Sequence, residues 1–151
     1  MALYFETAVR YDKMCEDGAV KKVTEKFLLD ALTFTEAEAR IIEERAPYIS
    51  GEFTVSAVKK TKIAEIFGIN TYPDQWWLAK VAFITVDEKT STEKKTVTLI
   101  LVGASDFHNA LANFEAGMKD TMADYELQSL SLTDILEVYP VDLSADNNEP
   151  S

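Results

Sequence analysis

The chain has 151 residues, 47% of them apolar and 11% aromatic, enough to bury a core in one ordinary domain or two small ones. A formal charge of −11 disfavours non-specific binding to nucleic-acid phosphates, and a single cysteine, Cys15, excludes an intrachain disulfide. No apolar run approaches the roughly 20 residues of a membrane helix, and the start MALYFETAVRYDK lacks a signal-peptide pattern, so a reducing cytoplasm is the expected setting.

In chain order, YFETAVRY alternates with Phe5, Thr7, Val9 and Tyr11 on one strand face. Asp17-Gly18 is a turn signal, and Val23 to Ala31 is a second strand. Thr35 and Glu38 have the spacing of a capping box. The helix they open carries Phe34, Ala37 and Ile41 on its inner face and stops at Pro47. Gly51 leads into FTVSAV, a third strand expected to run on, bulged, through KKTK into IAEIF. GINTYPDQ, residues 68–75, is a turn-rich linker.

The order then repeats. Trp77, Ala79, Val81 and Phe83 take the places of Phe5, Thr7, Val9 and Tyr11. Thr96 to Ala104 answers Val23 to Ala31, and Ser105 or Asp106 caps a second helix with Phe107, Ala110, Leu111, Phe114 and Met118 on one face. Tyr125 and Leu127 match Phe53 and Val55, and TDILEVY matches TKIAEIF. The offset is about 72 residues at both ends and about 73 in the middle, with the length changes falling in loops.

The predicted fold class is therefore α+β: a tandem duplication of a β-β-α-β unit, with antiparallel sheets, one helix per unit and an approximate two-fold relation. Residues 1–67 form the first unit, 68–75 the linker and 76–139 the second unit, packed on the first. Residues 140–151 are a disordered acidic tail. One such unit is marginal alone, so the two copies are expected to cover each other's leftover apolar surface, either as one six-stranded sheet or as a two-sheet sandwich. Leu99 to Val102, apolar on both faces, favours a covered strand.

The runs KKVTEKFLLDALTFTEAEARIIEERAPYISGEFTVS and EKKTVTLILVGASDF…GMKDTMADYELQS resemble a domain-of-unknown-function family of small proteins from gut bacteria and their phages. The resemblance spans about Tyr4 to Pro140. It implies no activity, catalytic residue or ligand.

No catalytic residue, cofactor or metal site is expected from the residues. His108, the one histidine, reads as a surface helix residue, and Cys15 has no cationic neighbour to activate it. Glu43, Glu44 and Asp12 have no convergent spacing, and glycine-rich phosphate loops are absent. Lys59, Lys60 and Lys62 form one basic patch, and Lys21-Lys22 and Lys94-Lys95 open the second strands. These line a groove for an anionic ligand or serve as charges that protect an edge. Tyr72, Pro73, Trp76 and Trp77 are the main aromatic cluster. Trp77 reads as core, while Trp76 faces the other side, either covered or as an anchor for a partner or base.

A rigid duplicated scaffold with no nucleophile–base or metal constellation points to a non-catalytic interaction protein that self-associates or binds a protein partner. The alternative is a small-molecule or nucleotide binder, of phage origin, that takes an anionic ligand at Lys59, Lys60, Tyr72 and Trp76. A third reading is an acidic mimic of nucleic acid. Direct nucleic-acid binding and a membrane are not expected.

Overall fold

The computed structural model describes residues 3–69 and 71–139; the expected tail at 140–151 lies outside the described residues. The fold is α+β, mostly strand. In order it comprises β1 (Tyr4–Met14), β2 (Val20–Asp30), α1 (Phe34–Arg45), β3 (Phe53–Lys60), β4 (Ile63–Phe67), β5 (Gln75–Asp87), β6 (Thr92–Ala104), α2 (Phe107–Gly117), β7 (Asp124–Leu132) and β8 (Ile135–Tyr139). A 3-10 turn, Ala46–Tyr48, follows α1. The strands make two separate four-stranded sheets, ordered β3-β1-β2-β8 and β4-β6-β5-β7, and not one six-stranded sheet.

The third strand is not one long bulged strand. It breaks at Thr61-Lys62, and its two pieces join different sheets. The break has a local cause. Thr61 donates both its backbone N–H and its hydroxyl to the Tyr4 carbonyl, at 2.9 and 2.8 Å, which closes the β1–β3 ladder. Thr133 does the same to Trp76, at 3.0 and 2.8 Å, before β8. Beyond each threonine the chain leaves its sheet. β4 pairs in parallel with β6, from Ile63 beside Leu99 to Phe67 beside Val102, and β8 lies beside β2.

The compact units accordingly differ from the expected 1–67 and 76–139. Among the described residues, the first unit runs to Thr61 and takes in Glu137–Tyr139, and the second lies within Lys62–Leu136. Sequence periodicity could place the terminal strands but not their neighbours, because sheet pairing is non-local.

Within each unit the register is the same. Tyr11 stands opposite Val23 and Phe53, and Phe83 opposite Thr96 and Tyr125. The ladder slips between Ala8 and Val9 in the first sheet and between Lys80 and Val81 in the second, so Ser56 and Gln128 are the extra residues of matching bulges.

The helices cap as short polar side chains dictate. Thr33, not Thr35, is the N-cap of α1; its hydroxyl accepts from the Glu36 N–H at 3.1 Å, and Glu36 reaches back to the Leu32 N–H. Asp106 caps α2 through the Asn109 N–H at 2.8 Å. Each helix covers one sheet face. Ala37 and Ile41 pack with Phe5, Val9, Phe27 and Leu29, while Phe114 and Met118 pack with Ala79, Val81, Ile100 and Val102. The exchanged strands finish these cores, Tyr139 against the first and Phe67 against the second.

Candidate binding site

At one end of the first core the apolar face turns polar. Following the helix-facing positions along β1 and β2, Val9 and Phe27 give way to Tyr11, Val23 and Glu25, then to Lys13 opposite Lys21. Arg45, in the last turn of α1, enters this zone from the helix side. Its guanidinium lies 4.5 Å from the centre of the Phe27 ring and 5.0 Å from that of Tyr48, a cation–π arrangement on two rings. Its side chain is 12% exposed.

The hydrogen bonding around Arg45 is incomplete. One Nη donates to the Tyr139 hydroxyl at 3.0 Å, Glu25 is an ion pair at 3.9 Å, and the buried Nε has no acceptor. Five donors thus make one hydrogen bond, to a neutral oxygen. The Tyr11 hydroxyl donates to Glu25 at 2.9 Å and the Tyr139 hydroxyl to Glu137 at 2.6 Å. Burial, then the bond to Glu25, pushes the Tyr11 hydroxyl above the usual phenol range. Burial, then Glu137, raises Tyr139 strongly, with Arg45 pulling the other way. Both phenols are donors at neutral pH.

Tyr11 and Tyr48 also line an open cleft of about 460 Å³, together with Asp12, Lys13, Met14 and Val20. Met14 is 73% exposed, Val20 60% and Tyr48 72%. Exposed Met14, Val20 and Tyr48 thus line an open cleft, and the Tyr48 ring also stacks on the Arg45 guanidinium.

The second unit is less polar at the matching positions. At the positions equivalent to Tyr11, Glu25, Arg45 and Tyr139 it carries Phe83, Thr98, Met118 and Phe67. Where Lys13 faces Lys21, it has Thr85 facing Lys94.

The residues singled out from the sequence are placed elsewhere. Lys59 and Lys60 are exposed at the end of β3, opposite Glu6 and Phe5, on an edge strand of the first sheet. Tyr72, 92% exposed at φ 48°, lines a pocket of about 280 Å³ with Thr71, Pro73, Ser105 and Asn109 in the second unit. Trp76 is 3% exposed beside Gly103, so its indole offers no open stacking face. Of the four, Lys59 and Lys60 belong to the first unit, and Tyr72 and Trp76 to the second. His108 is exposed against the edge of Phe107. Among the described residues no three His, Cys, Asp or Glu side chains converge as metal ligands, and no helix is long and apolar enough to cross a membrane.

A family model described as "Domain of unknown function (DUF4494)" matches residues 3–141. The chain belongs to that family. No curated protein and no solved structure matches it. Among the described residues, the cleft at Tyr11 and Tyr48 brings exposed apolar side chains beside a charged group, since the Tyr48 ring that lines it also stacks on the largely buried Arg45.

Proposed function

We propose that this chain is a non-catalytic interaction protein, and that it docks a protein partner, a second copy or another chain, over the cleft at Tyr11 and Tyr48. The observation that carries the reading is the exposure of Met14, Val20 and Tyr48 together around that cleft. Methionine and tyrosine side chains supply adaptable or rigid contact area at low entropic cost, and they recur at binding surfaces. Lys59 and Lys60, on an edge strand, then act as charges that discourage strand addition there.

We further infer that the scaffold is a tandem duplication. Its support is the shared register, the matching bulges, the two threonine clamps and the like order of the two sheets. A duplicated scaffold frees one copy to diverge while the other keeps an apolar solution, as Arg45 and Met118 illustrate.

The test is a photo-crosslinking amino acid at Val20 of the full chain in cells, with one at Thr90, in the other hairpin, as control. The reading expects one discrete adduct from position 20 only, identified by mass spectrometry and lost when Met14→Asp is added. Adducts of equal pattern at both positions, or none at position 20, overturn it.

A further inference from the structure

We propose that the open end of the first unit is a carboxylate site, in which Arg45, Lys13 and Lys21 receive an acidic side chain of the docked partner. This rests on the docking reading and gives the partner its chemistry. Three observations converge on it.

The first is the under-used guanidinium. A largely buried arginine whose Nε lacks an acceptor, and whose nearest carboxylate lies at 3.9 Å, carries an uncompensated desolvation cost. A planar carboxylate matches the open fork of donors. The second is a like-charge pair. Lys13 and Lys21 stand directly opposite on the same face as Tyr11 and Arg45, and among the described residues neither has an ion pair. Facing like charges cost stability on a ladder, and an anion between them removes that cost. Asp12, by contrast, is matched across the ladder by Lys22.

The third observation is that the fold does not need these groups. Met118, Thr98 and Thr85 occupy the positions of Arg45, Glu25 and Lys13 in the second unit, within the same architecture. Access is built in. Tyr48 both stacks on Arg45 and lines the cleft, and its exposed ring sits on the 3-10 turn between the two. The chain as a whole is acidic, so this positive pole is short-ranged, acting within a Debye length of about 8–10 Å. It selects a partner's side chain on contact and does not steer from afar.

The probes are benzoate, its neutral twin benzamide, and phenyl phosphate, each at about 10 mM and constant ionic strength, a level that reports millimolar binding. The readout is the Arg45 Nε–H resonance and the Lys13 and Tyr48 amides in NMR spectra of the full chain. Benzoate should shift all three and benzamide none. Arg45→Met should weaken benzoate at least tenfold and Lys13→Thr about threefold. Both variants install the second unit's residue, and the remaining spectrum reports that they fold. Equal responses to benzoate and benzamide, or an unchanged response in Arg45→Met, overturn the proposal. Tighter phenyl phosphate binding overturns the carboxylate assignment. A silent benzoate titration beside a discrete crosslink at position 20 leaves docking standing and removes the carboxylate site; benzoate binding without a crosslink does the reverse.

Discussion

Gly117→Ala puts the strand exchange to a test in which two effects of opposite sign compete. Gly117 is the last residue of α2. At an ordinary exposed helical position, glycine to alanine stabilises by about 0.5–1 kcal/mol, since the unfolded chain loses freedom and the helix gains propensity. Here a Cβ would lie 2.5 Å from two ring carbons of Phe67 and 2.8 Å from its Cγ. Phe67 is on β4, the strand carried over from the first half of the sequence, and its ring lies 6.4 Å from that of Phe114. The Cγ moves only if Phe67 changes its χ1 rotamer, so relief requires the ring to leave its place in the core or β4 or the end of α2 to shift. Overpacking of that kind costs about 1–3 kcal/mol. The net expectation is a loss of about 1–2 kcal/mol in urea unfolding with an unchanged m-value, or a fall of several degrees in Tm. Phe67→Ala should also destabilise, but adding Gly117→Ala to it should now stabilise by up to ~1 kcal/mol, because the clash has gone. If Gly117→Ala alone stabilises the protein, Phe67 is not packed on α2 and the exchanged strand is misplaced.

Two further outcomes follow from the clamps and the phenols. Thr133→Val removes the hydroxyl that donates to the Trp76 carbonyl and caps the Ile135 N–H; about 1 kcal/mol is lost, and hydrogen exchange in Ile135–Tyr139 accelerates ahead of β7. Tyr139 has a folded pKa raised above its unfolded value near 10, so the folded state holds its proton more tightly. Its contribution is complete below pH 10 and is lost as pH rises above it. Tyr139→Phe should flatten that alkaline decline in stability while leaving neutral pH dependence unchanged.

Much of this fold is legible in the residues, for identifiable reasons. Alternation along YFETAVRY and QWWLAKVAFITVD fixes β1 and β5 because one face of each strand meets a helix. The charged KKTK looked like the middle of a bulged strand, yet Lys59 and Lys60 end β3 and Thr61 ends its pairing. A propensity reading cannot see a hydroxyl bonded to a carbonyl 57 residues away. Thr33 and Thr35 each precede a glutamate at the same spacing, so spacing alone does not say which of them caps α1. The candidate site lay hidden for a different reason. Arg45, Glu25 and Tyr11 are far apart in sequence, and each alone is ordinary. Only by setting one unit against the other do they stand out, as charged or hydroxylated residues where the second unit has Met118, Thr98 and Phe83.

That comparison carries the last prediction. A buried ion pair of imperfect geometry is frequently worth less than apolar residues of similar volume, whereas removing one partner strands the other. The second unit displays the apolar alternative directly, with Met118 in the core beside Phe114. Replacing both members, Arg45→Met with Glu25→Thr, should hold stability or raise it by about 1–3 kcal/mol, measured by thermal unfolding at pH 7. Glu25→Thr alone should destabilise by more than the double variant, because it leaves Arg45 with Tyr139 as its only close polar partner. The same double variant should lose benzoate binding altogether. A chain that becomes more stable as it loses its ligand shows that these residues were kept at a cost for recognition. If the double variant is instead destabilised by several kcal/mol, the Arg45 cluster is part of the scaffold, and its open donors then say nothing about a partner.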